Sequence, residues 1–124
     1  SADLRGANIR NANLRGARMI RSMLVGADMT GVLASPINIQ GHDWQTNMER
    51  ARLGKAILVG ADLTGANLTG ADLRQAQIRN VSIKGADLTD ANLTNADLRG
   101  VDFAKCKLTN AKGLPDLDDL ESGD

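Results

Sequence analysis

A five-residue phrase dominates this sequence and is clearest in GADLTGANLTGADL, residues 60–73. A small residue is followed by Asp or Asn, then by an apolar residue that we call the centre, and then by two further residues that are mostly polar. Two residues before the centre, the small position holds Ala in 14 of 18 repeats. The centres, all apolar, are Leu4, Ile9, Leu14, Met19, Leu24 and Met29, then Leu53, Leu58, Leu63, Leu68, Leu73, Ile78, Ile83, Leu88, Leu93, Leu98, Phe103 and Leu108.

A spacing of five residues suits neither a regular helix nor a straight strand. A helix would place successive centres about 140° apart, so no single apolar stripe would form. In a strand, an odd displacement would put every second centre on the opposite face. The chain must therefore bend once per repeat, and the position two residues after the centre, which we call the corner, is mostly Gly or Asn, residues that tolerate turn conformations. Repeated bending of this kind predicts a β-solenoid whose successive coils pair their backbones.

Tandem A-D/N-L-x-x phrases of this kind resemble the pentapeptide-repeat family over most of the chain. The resemblance implies an all-β fold, a right-handed quadrilateral parallel β-helix with four repeats per coil. The Leu-centred, Ala-rich style is similar to that of cyanobacterial and plant-plastid members, most of which have no assigned biochemical role.

With four repeats per coil, residues 20 positions apart are expected to stack on one face. This spacing predicts a threonine row of Thr69, Thr89 and Thr109, and it places Arg79 below Arg99. It also predicts a column of Asp62, Ser82 and Asp102 beside Lys84. Favourable cross-strand pairs explain such rows without any ligand.

The sequence predicts one solenoid domain over residues 1–124, with repeats at 1–34 and 46–112. The centres change phase between Met29 and Leu53, so residues 35–45 are expected to leave the solenoid as a loop excursion. In the tail, residues 113–124, Leu114, Leu117 and Leu120 recur every three residues around Pro115. This pattern predicts a short capping helix that covers the last coil.

Composition excludes several classes of function. The 15 basic and 15 acidic residues give zero net charge, which argues against a general surface for nucleic acid or anionic membrane. No apolar run is long enough to span a membrane. One His and one Cys, with scattered carboxylates, form no catalytic constellation, so we expect neither an enzyme nor a bound metal or cofactor. Cys106 occupies a small position, where a thiol packs as a small hydrophobe.

Two groups of residues are candidates for binding a partner. His42, Asp43 and Trp44 lie in the excursion, where an exposed Trp could anchor a partner; alternatively, Trp44 folds back and closes the loop. His42 with Asp43 alone is too small a ligand set for a metal.

The second group is Arg5, Arg10 and Arg15, which make the first coil basic. They could contact an anion or a partner protein. Alternatively, they form a charged, solvated end that keeps an open coil edge soluble.

These observations favour a structural or protein-interaction scaffold that is a monomer or associates weakly end to end. The partner is expected to be another protein. The chain begins at Ser1, which leaves open a removed leader and therefore a cytoplasmic, periplasmic or thylakoid-lumen location.

The family resemblance implies one alternative, a DNA-mimicking inhibitor of a type II topoisomerase such as gyrase. Such mimics are acidic rods, usually with Phe centres. Here Phe103 is the one aromatic centre, and residues 62–103 contain six acids against four bases.

Overall fold

The computed structural model describes residues 3–115, which wind into a four-sided parallel β-helix. Parallel bridges join the residue before each centre to its counterpart in the next coil, as in Asp62 with Ser82. Bridge residues of successive repeats fall in four separate columns, so each repeat forms one side of a coil. The columns are face 1 (Asp3, Met23, Arg52, Asp72, Asn92, Lys112), face 2 (Asn8, Asp28, Ile57, Gln77, Asp97), face 3 (Asn13, Leu33, Asp62, Ser82) and face 4 (Arg18, Asn47, Asn67, Asp87, Lys107).

Counted from face 1, the chain makes five coils, which we number 1 (3–22), 2 (23–51), 3 (52–71), 4 (72–91) and 5 (92–111). The spacing of β-strands makes five such coils about 24 Å tall. The coil register stacks the predicted threonine row: the corners Arg50 and Gly70 donate their N–H groups to Thr69 O and Thr89 O. It also stacks Arg79 below Arg99, because the corners Gly60 and Asn80 donate to Arg79 O and Arg99 O.

Most repeats satisfy their backbone in the same way. The centre Leu63 donates its N–H to Ser82 O (2.8 Å) in the next coil, and the corner Gly65 donates to Lys84 O (2.9 Å). Asp62 uses its side chain as well, since Oδ1 accepts the N–H of Thr64 at 3.0 Å. The preference for Asp or Asn before the centre is therefore a turn requirement, because these side chains hold the backbone two residues on.

Centres and small positions together fill the interior. Leu68, Leu73 and Leu93 are at most 2% exposed, and Ala71 beside them is 1% exposed. The interior is therefore a column of stacked leucines separated by alanines. At the two ends of the described rod, centres such as Leu4 and Leu108 are only partly buried.

Nearly all corners hold the backbone in the left-handed region. Gly65 has φ 66°, Asn80 has φ 59° and even Gln75 has φ 63°. Glycine is also a packing requirement at Gly100, where a Cβ would lie 2.2 Å from Asn80 Oδ1. The Gly and Asn bias of the sequence therefore has a direct structural cause.

One corner is replaced by a β-hairpin. Asn13 pairs with Leu33 in the regular register, which would next pair Arg18 with Asn38, but Arg18 pairs with Asn47 instead. The additional residues form strands β1 (Ile37–Ile39) and β2 (His42–Trp44), which pair antiparallel. Their connection, Gln40 and Gly41, has φ values of 52° and 80°, and two left-handed residues are what a type I′ turn requires.

The structure departs from the sequence predictions at the upper end of face 3 and describes only the start of the C-terminal tail. The predicted column of Asp62, Ser82 and Asp102 is wrong at its upper end, because face 3 has no bridge from Ser82 to Asp102. The capping helix predicted for 113–124 lies mostly outside the described residues, which end at 115. Residues 113–115 are not helical: Gly113 has φ 80°, and Leu114 packs against the core. The cap stays a prediction.

Candidate functional site

The hairpin is spliced into the solenoid by a buried threonine. Thr46 occupies a small position and is fully buried. Its Oγ1 accepts the backbone N–H of Gly16 at 2.9 Å and donates to Leu14 O at 3.0 Å. In a regular repeat the corner N–H pairs with a backbone carbonyl of the next coil, as Gly6 does with Val25 O (3.0 Å). The Thr46 hydroxyl thus replaces the partner that the excursion removes.

The base of the hairpin is held from the coils on both sides. From coil 1, Arg15 Nη2 donates to Pro36 O at 2.8 Å. From coil 3, Gly65 O accepts Gln45 Nε2 at 2.7 Å. Gly16 makes room for the hairpin, because a Cβ there would lie 2.5 Å from Ile37 Cγ2. The excursion therefore leaves the rod in a fixed direction.

One surface of the hairpin is apolar. The cross-strand pairs Ile37 with Trp44 and Ile39 with His42 share a face, because side chains alternate along each strand. Trp44 is 53% exposed and Ile39 is 52% exposed, while Ile37 is half-buried over Gly16. The His42 and Trp44 rings lie against each other, with centroids 4.3 Å apart and planes tilted by 60°. We call Ile37, Ile39, His42 and Trp44 the apolar hairpin face.

The opposite surface of the hairpin is polar and internally bonded. Asn38 Nδ2 donates to Asp43 Oδ1 at 2.8 Å, and Asn38 Oδ1 accepts the N–H of Gly41 at 3.2 Å. His42 and Asp43 are adjacent in β2 and so point to opposite faces. The structure therefore does not bring these two side chains together. Within residues 3–115, no three His, Cys, Asp or Glu side chains cluster as metal ligands do.

The three candidate arginines lie on three different sides of coil 1, since each repeat forms one side. Arg5 makes a two-pronged ion pair with Asp3, at 2.9 and 2.7 Å. Hydrogen bonds from Arg5 hold the pKa of the Asp3 carboxyl at about 2. Arg10 Nε lies 3.8 Å from Asp28 Oδ2 in coil 2. The structure thus distributes these charges around the rod, and of the three only Arg15 bonds to the excursion.

Sequence reasoning missed Thr46, Gly16, Gln45 and Ile39. Two signals were available. Thr46 is the one threonine among the small positions, a polar residue where the fold demands burial. The stretch INIQGHDW has alternating apolar residues on both sides of Gln-Gly, a hairpin pattern.

Two further findings concern the remainder of the described chain. Cys106 is half-buried, with Sγ 3.1 Å from Phe103 O, and burial raises the pKa of its thiol. The reactive thiolate is therefore disfavoured. No helix among residues 3–115 is long and apolar enough to cross a membrane.

Comparison with solved structures finds proteins of similar fold. The pentapeptide repeat protein Rfr23 from the cyanobacterium Cyanothece 51142 is 30% identical, with a TM-score of 0.65 over 89% of this chain and 63% of Rfr23. A pentapeptide repeat protein from the Arabidopsis thaliana thylakoid lumen is 26% identical, with a TM-score of 0.54 over 95% of this chain and 75% of that one. QnrB1, a plasmid-mediated fluoroquinolone resistance protein, is 24% identical, with a TM-score of 0.63 over 90% of this chain and 60% of QnrB1.

The chain thus spans less than two thirds of the length of Rfr23 and of QnrB1. Comparison with curated proteins finds no match. The family description "Pentapeptide repeats" matches in eight copies over residues 1–33, 46–85 and 77–112, which leaves out the hairpin. These relatives imply a right-handed β-helix, as the sequence predicts. The repeats, the coil register and these matches together show that the chain belongs to the pentapeptide-repeat family.

Proposed function

We propose that this protein is a non-catalytic scaffold that binds another protein through the apolar hairpin face. The observation that carries the proposal is the exposure of Ile39 and Trp44, each more than half accessible, on a hairpin that is fixed at its base. Aromatic anchors of this kind dominate many protein interfaces. A hairpin held in one orientation also loses little conformational entropy on binding.

The remaining surface supports a scaffold more than an enzyme. Some of its outward carboxylates are paired with an arginine on the same face, as Asp72 is with Arg74 (2.7 Å) and Asp97 with Arg99 (2.6 Å). Catalysis needs titratable groups that converge in a cleft, whereas these groups are spread over the flat sides of a rod.

The balanced charge of the chain makes DNA mimicry the less supported alternative. A mimic of a duplex must present unpaired negative charge at a density near one per about 1.7 Å. Here 15 acidic residues are balanced by 15 basic ones, and acids such as Asp72 and Asp97 have an arginine beside them. The likeness to QnrB1 concerns the fold at this level of identity. A type II topoisomerase as partner therefore remains an outcome for experiment to test.

Site-specific photo-crosslinking tests the proposal. A photoreactive phenylalanine analogue replaces Ile39 in the test variant. In the matched control the analogue replaces Thr94, an exposed residue next to face 1 in coil 5 and away from the hairpin. We expect a partner protein to crosslink from position 39 and not from position 94. Equal crosslinking from both positions would contradict the proposal.

The crosslinked partner, once purified, should bind the intact chain directly. Trp44→Ala should weaken that binding at least tenfold, the loss typical of an anchor residue, with the fold unchanged by circular dichroism. Undiminished binding would rule out the hairpin as the contact. A parallel DNA supercoiling assay with gyrase tests the alternative: inhibition that survives Trp44→Ala would favour DNA mimicry instead.

A further inference from the structure

Face 3 has a gap in its ladder between coils 4 and 5. One coil below, Leu63 donates its N–H to Ser82 O (2.8 Å), and Ser82 donates to Ala61 O (3.1 Å). The equivalent bonds one coil on, from Ile83 to Asp102 and from Asp102 to Val81, are not made. The strand at residues 101–103 has separated from the one beneath it.

Overpacking explains the separation. Small positions hold Ala in most repeats, but both coils have Val here, Val81 and Val101, and both are buried. The adjacent centre is Phe103, also buried. Extra volume inside a filled interior forces the backbone outward.

The next corner confirms the displacement. Outside the hairpin, Lys105 is the one pentapeptide corner in the described chain that lacks a positive φ. Gly65 donates its N–H to Lys84 O, and the same register would give Gly85 the carbonyl of Ala104, but Gly85 donates to Lys105 O (2.7 Å) instead. The pairing has slipped along the chain, so residues 101–105 have left the regular register.

The gap opens a surface cleft of ≈ 450 Å³ lined by Ser82, Ile83, Lys84, Gly100, Asp102 and Lys105. Ile83 is 4% exposed, and its N–H, which the regular ladder would direct at Asp102 O, has no partner among residues 3–115. The N–H of Lys84 likewise has no partner in the described part of the chain, since Ser82 stands where Asp62 accepts the N–H of Thr64 one coil below. The Ile83 N–H is therefore an unpaired donor on a buried residue, which is rare in a native fold, and the Lys84 N–H next to it belongs to an exposed residue.

We propose that this cleft binds a small oxyanion, the phosphate or carboxylate group of a ligand. Unpaired backbone N–H groups and lysine ammonium groups both favour bound anions, and the cleft that holds the Ile83 N–H is also lined by Lys84 and Lys105. Asp102 contributes the one carboxylate, whose Oδ1 accepts the N–H of Ala104 at 2.9 Å. Two cations against one anion leave the cleft positive.

Amide NMR titration of the full chain with sodium phosphate, and separately with sodium acetate, tests the site at constant ionic strength. We expect saturable shifts confined to the amides of Ile83, Lys84 and Lys105. A response to phosphate alone assigns a phosphoryl ligand, and a response to acetate assigns carboxylates as well. Non-saturable or scattered shifts with both anions would overturn the proposal.

Variants separate this site from general attraction to lysines. Lys84→Ala and Lys105→Ala should each weaken binding roughly tenfold, as loss of a charged hydrogen-bond donor does. Lys55→Ala removes an exposed lysine from a corner beside face 1 and should change nothing. An equal effect of all three variants would contradict a specific site.

Val101→Ala tests the cause of the gap. The smaller side chain should let residues 101–103 pair with 81–83, so the Ile83 amide becomes protected from hydrogen exchange and the anion response disappears. A protected Ile83 amide with undiminished binding would overturn the proposed role of its N–H. If exchange at Ile83 does not change, overpacking is the wrong cause, and the lysine variants still decide whether the anion binds.

Discussion

Gly16 donates its backbone N–H to the side-chain hydroxyl of Thr46 at 2.9 Å, although 30 residues separate them. A single buried hydroxyl thus stands where a carbonyl of the ladder would be. It lets the solenoid continue past the hairpin. Removal of this hydroxyl should therefore destabilise the contact between coil 1, which holds Gly16, and coil 2, which holds Thr46.

Thr46→Val keeps the shape of the side chain and removes the hydroxyl. Gly16 N–H then loses its partner inside the protein, whereas Leu14 O still accepts the N–H of Ala17 at 3.0 Å. One buried unpaired donor of this kind costs about 1–3 kcal/mol. Urea denaturation should show a free energy of unfolding lower by that amount. Thr46→Ser, which keeps the hydroxyl, is the control and should lose less. Equal stability of Thr46→Val and the wild type would show that the bond is not needed.

Removal of the hairpin should leave the rod intact. The variant deletes residues 36–44 and changes Gln45→Gly, so that Ala34 and Thr46 are joined by a regular two-residue corner. Gly16 N–H can then pair with Ser35 O, as other corners do, and loop length changes closure entropy only weakly. We expect an unchanged β circular dichroism spectrum and a melting temperature within a few degrees of wild type. A chain that does not fold would place these residues in the solenoid wall.

Substitutions at inward positions should lower the free energy of unfolding much more than substitutions at outward positions. Leu73 is 2% exposed at a centre, so Leu73→Ala should lower the free energy of unfolding by about 2–5 kcal/mol. Thr69→Ala, on the outer surface, should cost less than about 1 kcal/mol. The comparison uses denaturant midpoints under identical conditions. Similar midpoints would remove the assignment of the leucines to a continuous core.

Glycine should stabilise the fold at some corners that now hold a larger residue. Gln75 holds φ 63°, a conformation that costs a side-chain-bearing residue roughly 1–2 kcal/mol, against roughly 0.5–1 kcal/mol for the greater flexibility of glycine. Gln75→Gly should therefore raise the free energy of unfolding by about 0.5 kcal/mol. The neighbouring Arg74→Gly, at a residue without positive φ and with a carboxylate partner, should lower it. A loss of stability in Gln75→Gly would argue against strain at this corner.

Acid should weaken the Asp97 pairs. Hydrogen bonding from Arg99 lowers the pKa of Asp97 from 3.8 to about 2, with smaller contributions from the charges of Arg99 and Arg79. Since the folded pKa is below the ordinary value, the stabilisation is complete above about pH 4 and is lost as the pH falls towards 2. Carboxyl NMR titration of the wild type and Arg99→Gln measures this. The Asp97 pKa should rise in the variant, and an unchanged pKa would show that Arg99 is not the cause.

The sequence predicts most of the solenoid, because the residue types within each repeat indicate which positions are buried and where the chain turns. Leu at the centre, Ala at the small position and Gly or Asn at the corner require burial, close approach and positive φ, and residues such as Leu63, Ala66 and Gly65 show all three. The site was less accessible. Placing Thr46 opposite Gly16 requires knowing which coil the chain rejoins, and a five-residue period alone cannot say that.

The departure at face 3 was predictable only in part. Val81 and Val101 were visible as exceptions to the Ala rule, and stacking of successive coils places one above the other. What followed from them, a slipped corner at Lys105 and free N–H groups at Ile83 and Lys84, depends on how the backbone relieves crowding. The direction of this backbone shift is set by packing in three dimensions and has no signal in the sequence.

The displaced pairing of Arg18 with Asn47 has a consequence for variation within such proteins. Coils 1 and 3 bond to coil 2 on all four faces without using the hairpin strands, so the corner between Ala34 and Thr46 is an exchangeable position. Peptides of other lengths and sequences can occupy it while every leucine keeps its place. A rod of this kind can therefore acquire a new recognition element by insertion at one turn, with no change to the residues that make it fold.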